Sequence, residues 1–228
     1  MYPLVILCGG KAKRLGSVAK ETPKSLLEFN KKPFLSYVLD NFTKQGVKDI
    51  YFCLGHLSSK YEEYLKKNKK KEVNYFLSYD DNVFSGTGGA VKKISKNLNG
   101  PFFVSYGDSY LNLDLKDLIN KYNKDNSPLM TIFKNNGLYD KSNCRINKGM
   151  VEYSKKIFLD DADYIDYGLS IISPENFNFF PDSFDLSDLQ EKFSKENNLQ
   201  HYVVTKRFYE IGSLEGLKEF KKYVKELR

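Results

Sequence analysis

Hydrophobic residues are concentrated in short continuous runs, and the segments between these runs carry apolar residues at helical spacing. Continuous runs rich in β-branched and aromatic residues are typical of strands that are buried on both faces of a sheet. They occur at Val5–Cys8, Val47–Leu54, Phe102–Tyr106 and Leu129–Phe133, whereas Val73–Tyr79 alternates like a half-buried strand. The alternation of strand and helix in this first half predicts right-handed crossovers and a mostly parallel sheet.

Local signals predict several boundaries in the first half. Pro33 suits the first turn of a helix, and Gly46 suits the end of the same helix. Ser58 or Ser59 is expected to cap the next helix. Ser25–Phe29 predicts a short strand. Two further helices are predicted, at Gly88–Leu98 and Leu115–Tyr122.

The pattern changes after Asn135, where short strands become frequent. Strands are predicted at Cys144–Ile146, Met150–Tyr153, Tyr164–Ile172, His201–Thr205 and Phe208–Ile211, and helices at Leu186–Lys195 and Leu214–Leu227. No low-complexity linker separates the two halves. We therefore expect a single domain over residues 1–228, in which residues 136–228 pack on residues 1–135 and form a lid over the strand ends.

The composition indicates a full hydrophobic core and no membrane segment. Hydrophobic residues make up 41% and aromatic residues 15% of the 228 residues. No apolar run approaches the ~20 residues that a membrane helix needs. The N-terminal apolar run is also too short for a typical secretion signal. We therefore expect a cytoplasmic protein with no membrane partner.

Cysteine, histidine and charge narrow the classes of function. Cys8, Cys53 and Cys144 are far apart and have neither a disulfide framework nor zinc-site spacing. With only 2 histidines, a histidine-based triad or zinc catalysis is disfavoured. The net charge of +7 suits an anionic partner. Because the lysines are spread out and the aromatic residues match no RNA-binding signature, we expect no nucleic acid partner.

A glycine-rich basic loop follows the first strand. Gly9 and Gly10 end the apolar run, and Arg14 and Lys24 are among the cations that come next. Glycine lets backbone N–H groups approach a ligand closely, and the cations add positive charge. The loop therefore predicts a site for phosphate groups. An N-terminal core strand followed by a surface turn is the alternative interpretation.

Two further segments are expected at the same edge of the sheet. Gly86-Thr87-Gly88 opens a helix, and Gly107-Asp108 ends a buried strand. In an open parallel sheet, ligands bind beyond the carboxyl ends of the strands. Nucleotide phosphates with Mg²⁺ fit this combination, since Mg²⁺ takes one or two carboxylates together with phosphate oxygens and water. Asp108 suits that role, although a turn or helix cap would also explain it.

Three common motifs are absent from the chain. The loop after Gly9 lacks the GxGxxG pattern of dinucleotide-binding proteins, and no stretch matches the GxxxxGK[ST] pattern of Walker loops. The GxSxG elbow of serine hydrolases is also missing. The glycine loops therefore belong to a different kind of phosphate site.

The combination of segments resembles the signature of the sugar-1-phosphate nucleotidyltransferases. The matching segments, in the family's order, are Leu7-Cys8-Gly9-Gly10-x-Ala12-x-Arg14-Leu15, Pro23-Lys24-Ser25-Leu26, Gly86-Thr87-Gly88-Gly89-Ala90, Gly107-Asp108-Ser109 and Tyr209-Glu210-Ile211-Gly212-Ser213. The nearest resemblance is to the short bacterial branch that includes mannose- and heptose-1-phosphate guanylyltransferases. It implies a Rossmann-like three-layer α/β fold of the GT-A-like type, with a mostly parallel sheet and a small β-rich sugar-binding lid. The nucleotide-binding half would be residues 1–135 and the sugar-binding half residues 136–228.

The resemblance also implies a reaction and roles for individual residues. A nucleoside triphosphate and a sugar 1-phosphate would give an NDP-sugar and pyrophosphate for surface polysaccharide precursors, with GTP and a manno- or heptose-type sugar favoured. Arg14 would stabilise the departing pyrophosphate, Lys24 would bridge the two reacting phosphates, and Asp108 would hold Mg²⁺ with Glu210. The residues implied in nucleotide binding are Leu7, Gly9, Gly10, Gly86, Thr87 and Gly88. The residues implied in sugar-phosphate binding are Lys155 and Gly168.

Three positions depart from the family's pattern. Ala12-Lys13 stand where Gly-Thr is common, and alanine is expected to hold the loop at negative φ there. Glu210 replaces the usual aspartate, and Asp166 replaces a frequent asparagine. Two other functions remain open at this point, namely a cytidylyltransferase acting on a polyol or choline phosphate and a non-catalytic nucleotide-binding module. The sequence also leaves open whether the protein forms a homo-oligomer.

Overall fold

In the computed structural model, a central β-sheet is covered by helices on both faces. The structure describes residues 1–80, 85–122, 127–139, 141–155 and 159–226. Residues 81–84, between the strand predicted at Val73–Tyr79 and the segment Gly86-Thr87-Gly88, lie outside the described residues. Within the described ranges, none of the helices combines the length and the apolar character needed to cross a bilayer.

Strands and helices alternate through the first half of the chain, and short strands are frequent in the second half. The strands are β1 (Leu4–Leu7), β2 (Glu28–Phe29), β3 (Lys32–Pro33), β4 (Asp49–Leu54), β5 (Asn74–Tyr79), β6 (Phe102–Tyr106), β7 (Ser109–Tyr110), β8 (Leu129–Lys134), β9 (Cys144–Asn147), β10 (Met150–Tyr153), β11 (Tyr164–Ile172), β12 (Gln200–Val204) and β13 (Tyr209–Glu210). The α-helices are α1 (Phe34–Lys44), α2 (Ser58–Lys67), α3 (Gly86–Ser95), α4 (Leu115–Lys121), α5 (Leu186–Lys195) and α6 (Leu214–Glu226). Short 3-10 helices lie at Lys13–Ala19, Lys24–Leu26 and Pro174–Phe177.

The main sheet has the parallel centre that the sequence predicts. Strands β5, β4, β1 and β6 lie side by side and parallel. Strand β11 lies antiparallel beside β6, and its other edge pairs with β8, which in turn pairs in parallel with β12. Two strands of the second half therefore extend the main sheet, and β9 and β10 form a hairpin that joins it at the start of β11.

Opposite faces of β1 contribute to two layers of core. Leu4 and Ile6 pack with residues of α1, α2, α4 and α6 on one face, whereas Val5 packs with α3 and α5 on the other. All three side chains are fully buried. A strand that is apolar on both faces is what a doubly covered sheet requires. The predicted three-layer α/β fold with a mostly parallel sheet is confirmed.

Two local predictions are wrong. Ser25–Phe29 is not a single strand, because the Leu26 N–H donates to the Pro23 carbonyl (2.8 Å) and closes a 3-10 turn. The part of this segment that forms a strand is β2, at its end. The position before α2 is occupied by Leu57 in the left-handed region (φ +59°), so that Ser58 is the first helical residue and no side chain caps the helix.

A two-stranded ribbon brings the C-terminal segment to the end of β6. In this ribbon β13 pairs antiparallel with β7, and Glu210 lies opposite Ser109. The Ile211 N–H also donates to the Asp108 carbonyl (3.0 Å). The carboxyl edge of the parallel strands thereby gains residues from the last part of the chain.

Candidate active site

Two adjoining cavities open at the carboxyl edge of the sheet. The first, of about 310 Å³, lies between the ends of β1, β4 and β5 and the start of α3. The second, of about 710 Å³, lies against β11, β13 and the start of α6. Tyr106 and Asp108 line both cavities. Groups bound in the two cavities would therefore meet at the Asp108 carboxylate.

Close backbone packing shapes the end of β1. A Cβ atom at Gly55 would lie 3.0 Å from the Gly9 carbonyl oxygen, and one at Gly107 would lie 2.6 Å from Cys8 Sγ. Glycine at position 107 lets Asp108 leave β6 directly against the end of β1. Burial raises the pKa of the Cys8 thiol to about 12, so this thiol stays neutral and acts as a packing group.

Lys24 forms an ion pair with Asp108 beside the glycine loop. The two side chains are only 22% and 17% exposed. Lys24 Nζ lies 4.0 Å from the position that a Cβ atom of Gly10 would occupy. Since both partners line the first cavity, two of the predicted catalytic residues lie together where a phosphate chain could reach them.

The glycine loop turns sharply at Ala12. Its φ is +48°, so the prediction that alanine holds negative φ here is wrong. The Ala12 carbonyl accepts a hydrogen bond from the Leu15 N–H (3.0 Å), and this turn starts the 3-10 helix that carries Arg14. The left-handed conformation costs an alanine about 1–2 kcal/mol, whereas glycine adopts it freely. The loop geometry therefore overrides the preference of the residue.

Arg14 lies at the boundary between the cavities. A Cβ atom at Gly212 would lie 3.2 Å from Arg14 Nη2 and 3.5 Å from Asp108 Oδ2, so the guanidinium and the carboxylate face the same point of the backbone. Arg14 lines the second cavity, whereas Lys24 lines the first. Asp108 is consequently flanked by one cation on each side.

The start of α3 is capped by the segment 182–185. The N–H groups of Gly88 and Gly89 donate to the Phe184 carbonyl (2.9 and 3.2 Å). Cβ atoms at these two glycines would lie 2.3 Å from the Phe184 ring and 2.2 Å from the Asp182 carbonyl oxygen, respectively. The glycines therefore permit close packing, and the helix begins at Gly86, earlier than predicted.

Gly86 and Thr87 line the first cavity, but Gly88 does not. Gly86 has φ +69°, and a Cβ atom there would lie 2.3 Å from the Phe184 carbonyl oxygen. Thr87 Oγ1 accepts a hydrogen bond from the Leu186 N–H (2.9 Å). The wall of the first cavity is thus held by contacts with the second half of the chain.

The ribbon places Glu210 beside Asp108. Ser109 Oγ donates to Glu210 Oε1 (3.4 Å). Although Glu210 opens onto the second cavity, the surrounding protein limits its hydration, and this effect together with the charges of Asp108 and Asp166 raises the pKa of Glu210 to about 7. Nearby cations offset the shift in part.

The carboxylates of Asp108 and Glu210 fit the donor set of a Mg²⁺ site. The charge of Asp108 disfavours ionisation of Glu210, and a cation between them would remove that repulsion. Within the described ranges, no cluster of three or more acidic, histidine or cysteine side chains forms a complete ligand set. Mg²⁺ is commonly held by one or two carboxylates, with phosphate oxygens and water completing its coordination. The pair therefore suits a magnesium ion that also contacts a phosphate chain.

A bulge in β11 forms the floor of the second cavity. Its pairing with β8 shifts between Asp166 and Ser170, and Gly168 has φ +95°. Asp166 Oδ1 accepts a hydrogen bond from the Gly168 N–H (2.9 Å), and burial raises the pKa of Asp166 to about 6. Asp166 and Lys155 line the cavity, whereas Gly168 is buried behind Tyr106.

Several lining residues were not predicted from the sequence. They are Ala90 and Lys93 in the first cavity and Tyr153, Arg207 and Glu219 in the second. Ala90 and Lys93 follow Thr87 at three-residue spacing, and helical periodicity places such residues on one face. The residues of the second cavity carry no comparable signal, because they come from separate elements that only the tertiary fold brings together.

Comparison with known proteins identifies the family. The family model described as nucleotidyl transferase matches residues 4–140. The D-glycero-alpha-D-manno-heptose 1-phosphate guanylyltransferase of Campylobacter jejuni is 30% identical over 86% of this chain and 84% of that protein. The protein of the same name from Aneurinibacillus thermoaerophilus is 26% identical over 90% of this chain and 86% of that protein. The crystal structure of HddC from Yersinia pseudotuberculosis matches with a TM-score of 0.84 at 25% identity, covering 98% of this chain and 100% of that one.

The matched region contains most of the first cavity together with the boundary between the cavities. It includes the glycine loop, Lys24, the start of α3 and Asp108. The two relatives are similar over 86% and 90% of the chain, which is more than residues 4–140 of the family match cover. On this similarity, the chain belongs to the nucleotidyl transferase family and is an enzyme of that class.

Proposed function

We propose that the protein transfers a nucleotidyl group from a nucleoside triphosphate to a sugar 1-phosphate, giving an NDP-sugar and pyrophosphate. The observation that carries this proposal is the position of Asp108, which lines both cavities between Lys24 and Arg14. Two substrates held in adjoining cavities react as if within one molecule, which lowers the entropic part of the barrier.

In this proposal the first cavity holds the nucleotide. Leu7, Gly9 and Gly10 at the end of β1 and Gly86 and Thr87 at the start of α3 form its walls. Gly88 contributes indirectly, since its contact with the segment 182–185 fixes the start of α3. Lys24 would contact the α-phosphate, because its ammonium group lies between the glycine loop and Asp108.

The second cavity would hold the sugar 1-phosphate. Lys155 supplies a positive charge for the phosphate, and Asp166 supplies a hydrogen-bond acceptor for sugar hydroxyls. Gly168 would act through its positive φ, which forms the bulge that carries Asp166. Residues 1–135 would thus supply most of the nucleotide site and residues 136–228 most of the sugar site, with the segment 182–185 supporting the nucleotide side.

Charge neutralisation would be the main contribution of the protein to the reaction. Mg²⁺, when held by Asp108 and Glu210, would neutralise negative charge on the phosphate chain. Lys24 would hold the α-phosphate in line with the attacking oxygen of the sugar phosphate, opposite the departing pyrophosphate. The resemblance assigns Arg14 to the departing pyrophosphate, but Arg14 lines the second cavity, so in this proposal it would instead neutralise charge where the two phosphates meet.

We further propose GTP as the donor and a manno-configured heptose 1-phosphate as the acceptor. The support is the name shared by the two bacterial relatives, each of which is similar to this chain over most of its own length. The lining of the first cavity includes Gly9, Gly10 and Gly86, whose backbone groups no side chain covers, and this is compatible with recognition of a base by its hydrogen-bonding edge.

A substrate matrix tests the proposal. ATP, GTP, CTP, UTP and dTTP are each combined with heptose, mannose and glucose 1-phosphates, and with choline and inositol phosphates, and pyrophosphate release is measured with Mg²⁺. We expect the highest kcat/KM for GTP with the heptose. A different preferred pair would overturn the substrate assignment, and transfer to choline or inositol phosphate alone would overturn the sugar-phosphate proposal. Lys20→Met removes an exposed charge outside both cavities, so this variant should keep the activity and the substrate preference of the wild-type protein.

A further inference from the structure

Arg207 is held rigidly at one side of the second cavity. Its guanidinium lies 4.7 Å from the ring centroid of Tyr139 and 4.8 Å from that of Tyr209, within the range of cation–π contacts. Its Nη2 donates to Glu219 Oε2 (2.6 Å) on α6. Arg207 Nε is buried and has no hydrogen-bond acceptor among the residues that the structure describes, whereas the side chain as a whole is 32% exposed. The arginine is therefore fixed in place with part of its side chain open to the cavity.

This cluster lies away from the reacting groups. The Ile211 N–H bonds to the Asp108 carbonyl, and Arg207 precedes Ile211 by four residues. Only Tyr209 and Glu210 of this segment lie in a strand, so the ~13 Å that four extended residues span is an upper limit for the separation along the backbone. Arg207 lines the second cavity but not the first, whereas Asp108 lines both. An acceptor whose phosphate lies at Asp108 would therefore meet Arg207 on the side away from the nucleotide.

The chemistry of the cluster fits hydroxyl groups and disfavours a second anion. Glu219 already neutralises Arg207, and Glu215 lines the same cavity, so another phosphate or carboxylate would meet two acidic side chains. A sugar hydroxyl can accept from the guanidinium and donate to the Glu219 carboxylate. Tyr139, which also lines the cavity and is 37% exposed, offers apolar ring surface to the C–H groups between such hydroxyls.

We infer that Arg207 and Glu219, flanked by Tyr139, form a subsite for the exocyclic polyhydroxyl tail of the acceptor sugar. This inference rests on the proposed function, because it assigns the far end of the proposed acceptor. The subsite determines specificity: it distinguishes a heptose, whose tail carries an additional hydroxyl-bearing carbon, from a hexose of the same ring configuration. The reacting phosphates do not contact it.

Two acceptors that differ only in this tail provide the test. With GTP fixed, kcat/KM is measured for D-glycero-α-D-manno-heptose 1-phosphate and for α-D-mannose 1-phosphate. We expect the wild-type protein to prefer the heptose by at least about tenfold. Arg207→Gln and Glu219→Gln should each remove most of that preference by lowering kcat/KM for the heptose, while the value for mannose 1-phosphate changes less than about threefold. Lys206→Gln, at the exposed neighbouring position, should leave both values unchanged.

The outcomes separate the subsite from the proposed function. Equal losses for both acceptors in the Arg207 variant, or a wild-type protein that uses both equally well, would overturn the subsite and leave sugar-phosphate transfer standing. Absence of pyrophosphate release with every sugar 1-phosphate would overturn both. Saturation-transfer NMR on the wild-type protein gives a measurement that needs no variant to fold. Saturation of the tail protons of the bound heptose supports the subsite, and tail protons that receive none contradict it.

Discussion

Replacing Lys24 with methionine removes the cation of the central ion pair and keeps the aliphatic part of the side chain. Loss of one preorganised charge contact typically costs about 10²–10³ in rate, which corresponds to about 3–4 kcal/mol of transition-state stabilisation. The effect on folding should be smaller. The pair is partly exposed, at 22% and 17%, and Arg14 remains close to Asp108. A stability loss of about 1–2 kcal/mol lies between the values for exposed and fully buried pairs.

The assay for Lys24→Met is pyrophosphate release at saturating Mg²⁺, with urea unfolding as the measure of stability. The double variant with Asp108→Asn shows how the lysine acts. If Lys24 only neutralises Asp108, the double variant is no slower than Asp108→Asn alone. If Lys24 acts on the phosphates, as we expect, the double variant is slower than either single variant. Turnover of Lys24→Met within about tenfold of the wild-type rate would refute the catalytic role of the lysine.

Three further substitutions follow from the geometry. Because the pKa of Glu210 is raised from 4.5 to about 7, protonation of Glu210 stabilises the folded protein, and this stabilisation is lost as pH rises from 4.5 through 7. The Tm of the metal-free wild-type protein, relative to that of Glu210→Gln, should therefore fall over this pH range. A Tm difference that does not depend on pH would contradict the raised pKa. Gly89→Ala would gain about 1 kcal/mol in an open helix, but its Cβ atom would lie 2.2 Å from the Asp182 carbonyl oxygen, so urea unfolding should show a loss of about 1–3 kcal/mol. Ala12→Gly removes the strain of an alanine at φ +48°, but it also raises the conformational entropy of the unfolded chain. The two effects oppose each other, so the free energy of unfolding should stay within about 1 kcal/mol of the wild-type value. A larger loss would show that the alanine methyl group contributes packing.

The hydrophobic pattern was sufficient to predict most of the framework. The apolar stretches of sequence that form β1, β4 and β6 are apolar on both faces of the strand, and only a sheet that is covered on both faces can bury such strands. The edge at which Gly9 and Asp108 meet follows from the parallel direction of these strands. The first cavity was therefore largely predictable.

The remaining parts depend on contacts between distant segments. The ribbon of β7 and β13 has only two residues in each strand, too few for any periodicity to show. Gly88 and Gly89 look like phosphate-binding glycines in the sequence, but the Phe184 carbonyl occupies their N–H groups. The φ of Ala12 is set by the turn and not by the residue. For the ribbon and the two glycines, contacts between distant segments decide the outcome, whereas at Ala12 the local turn does.

The ribbon has a consequence for the synthesis of the protein. Ser109 and Glu210 are hydrogen-bonded across a sequence separation of 101 residues, so the carboxylate of Glu210 reaches Asp108 only after those intervening residues have emerged from the ribosome. Strands β1, β4, β5 and β6, which border the first cavity, are complete much earlier. A nascent chain therefore contains the strands that border that cavity before it has both carboxylates with which to share a cation.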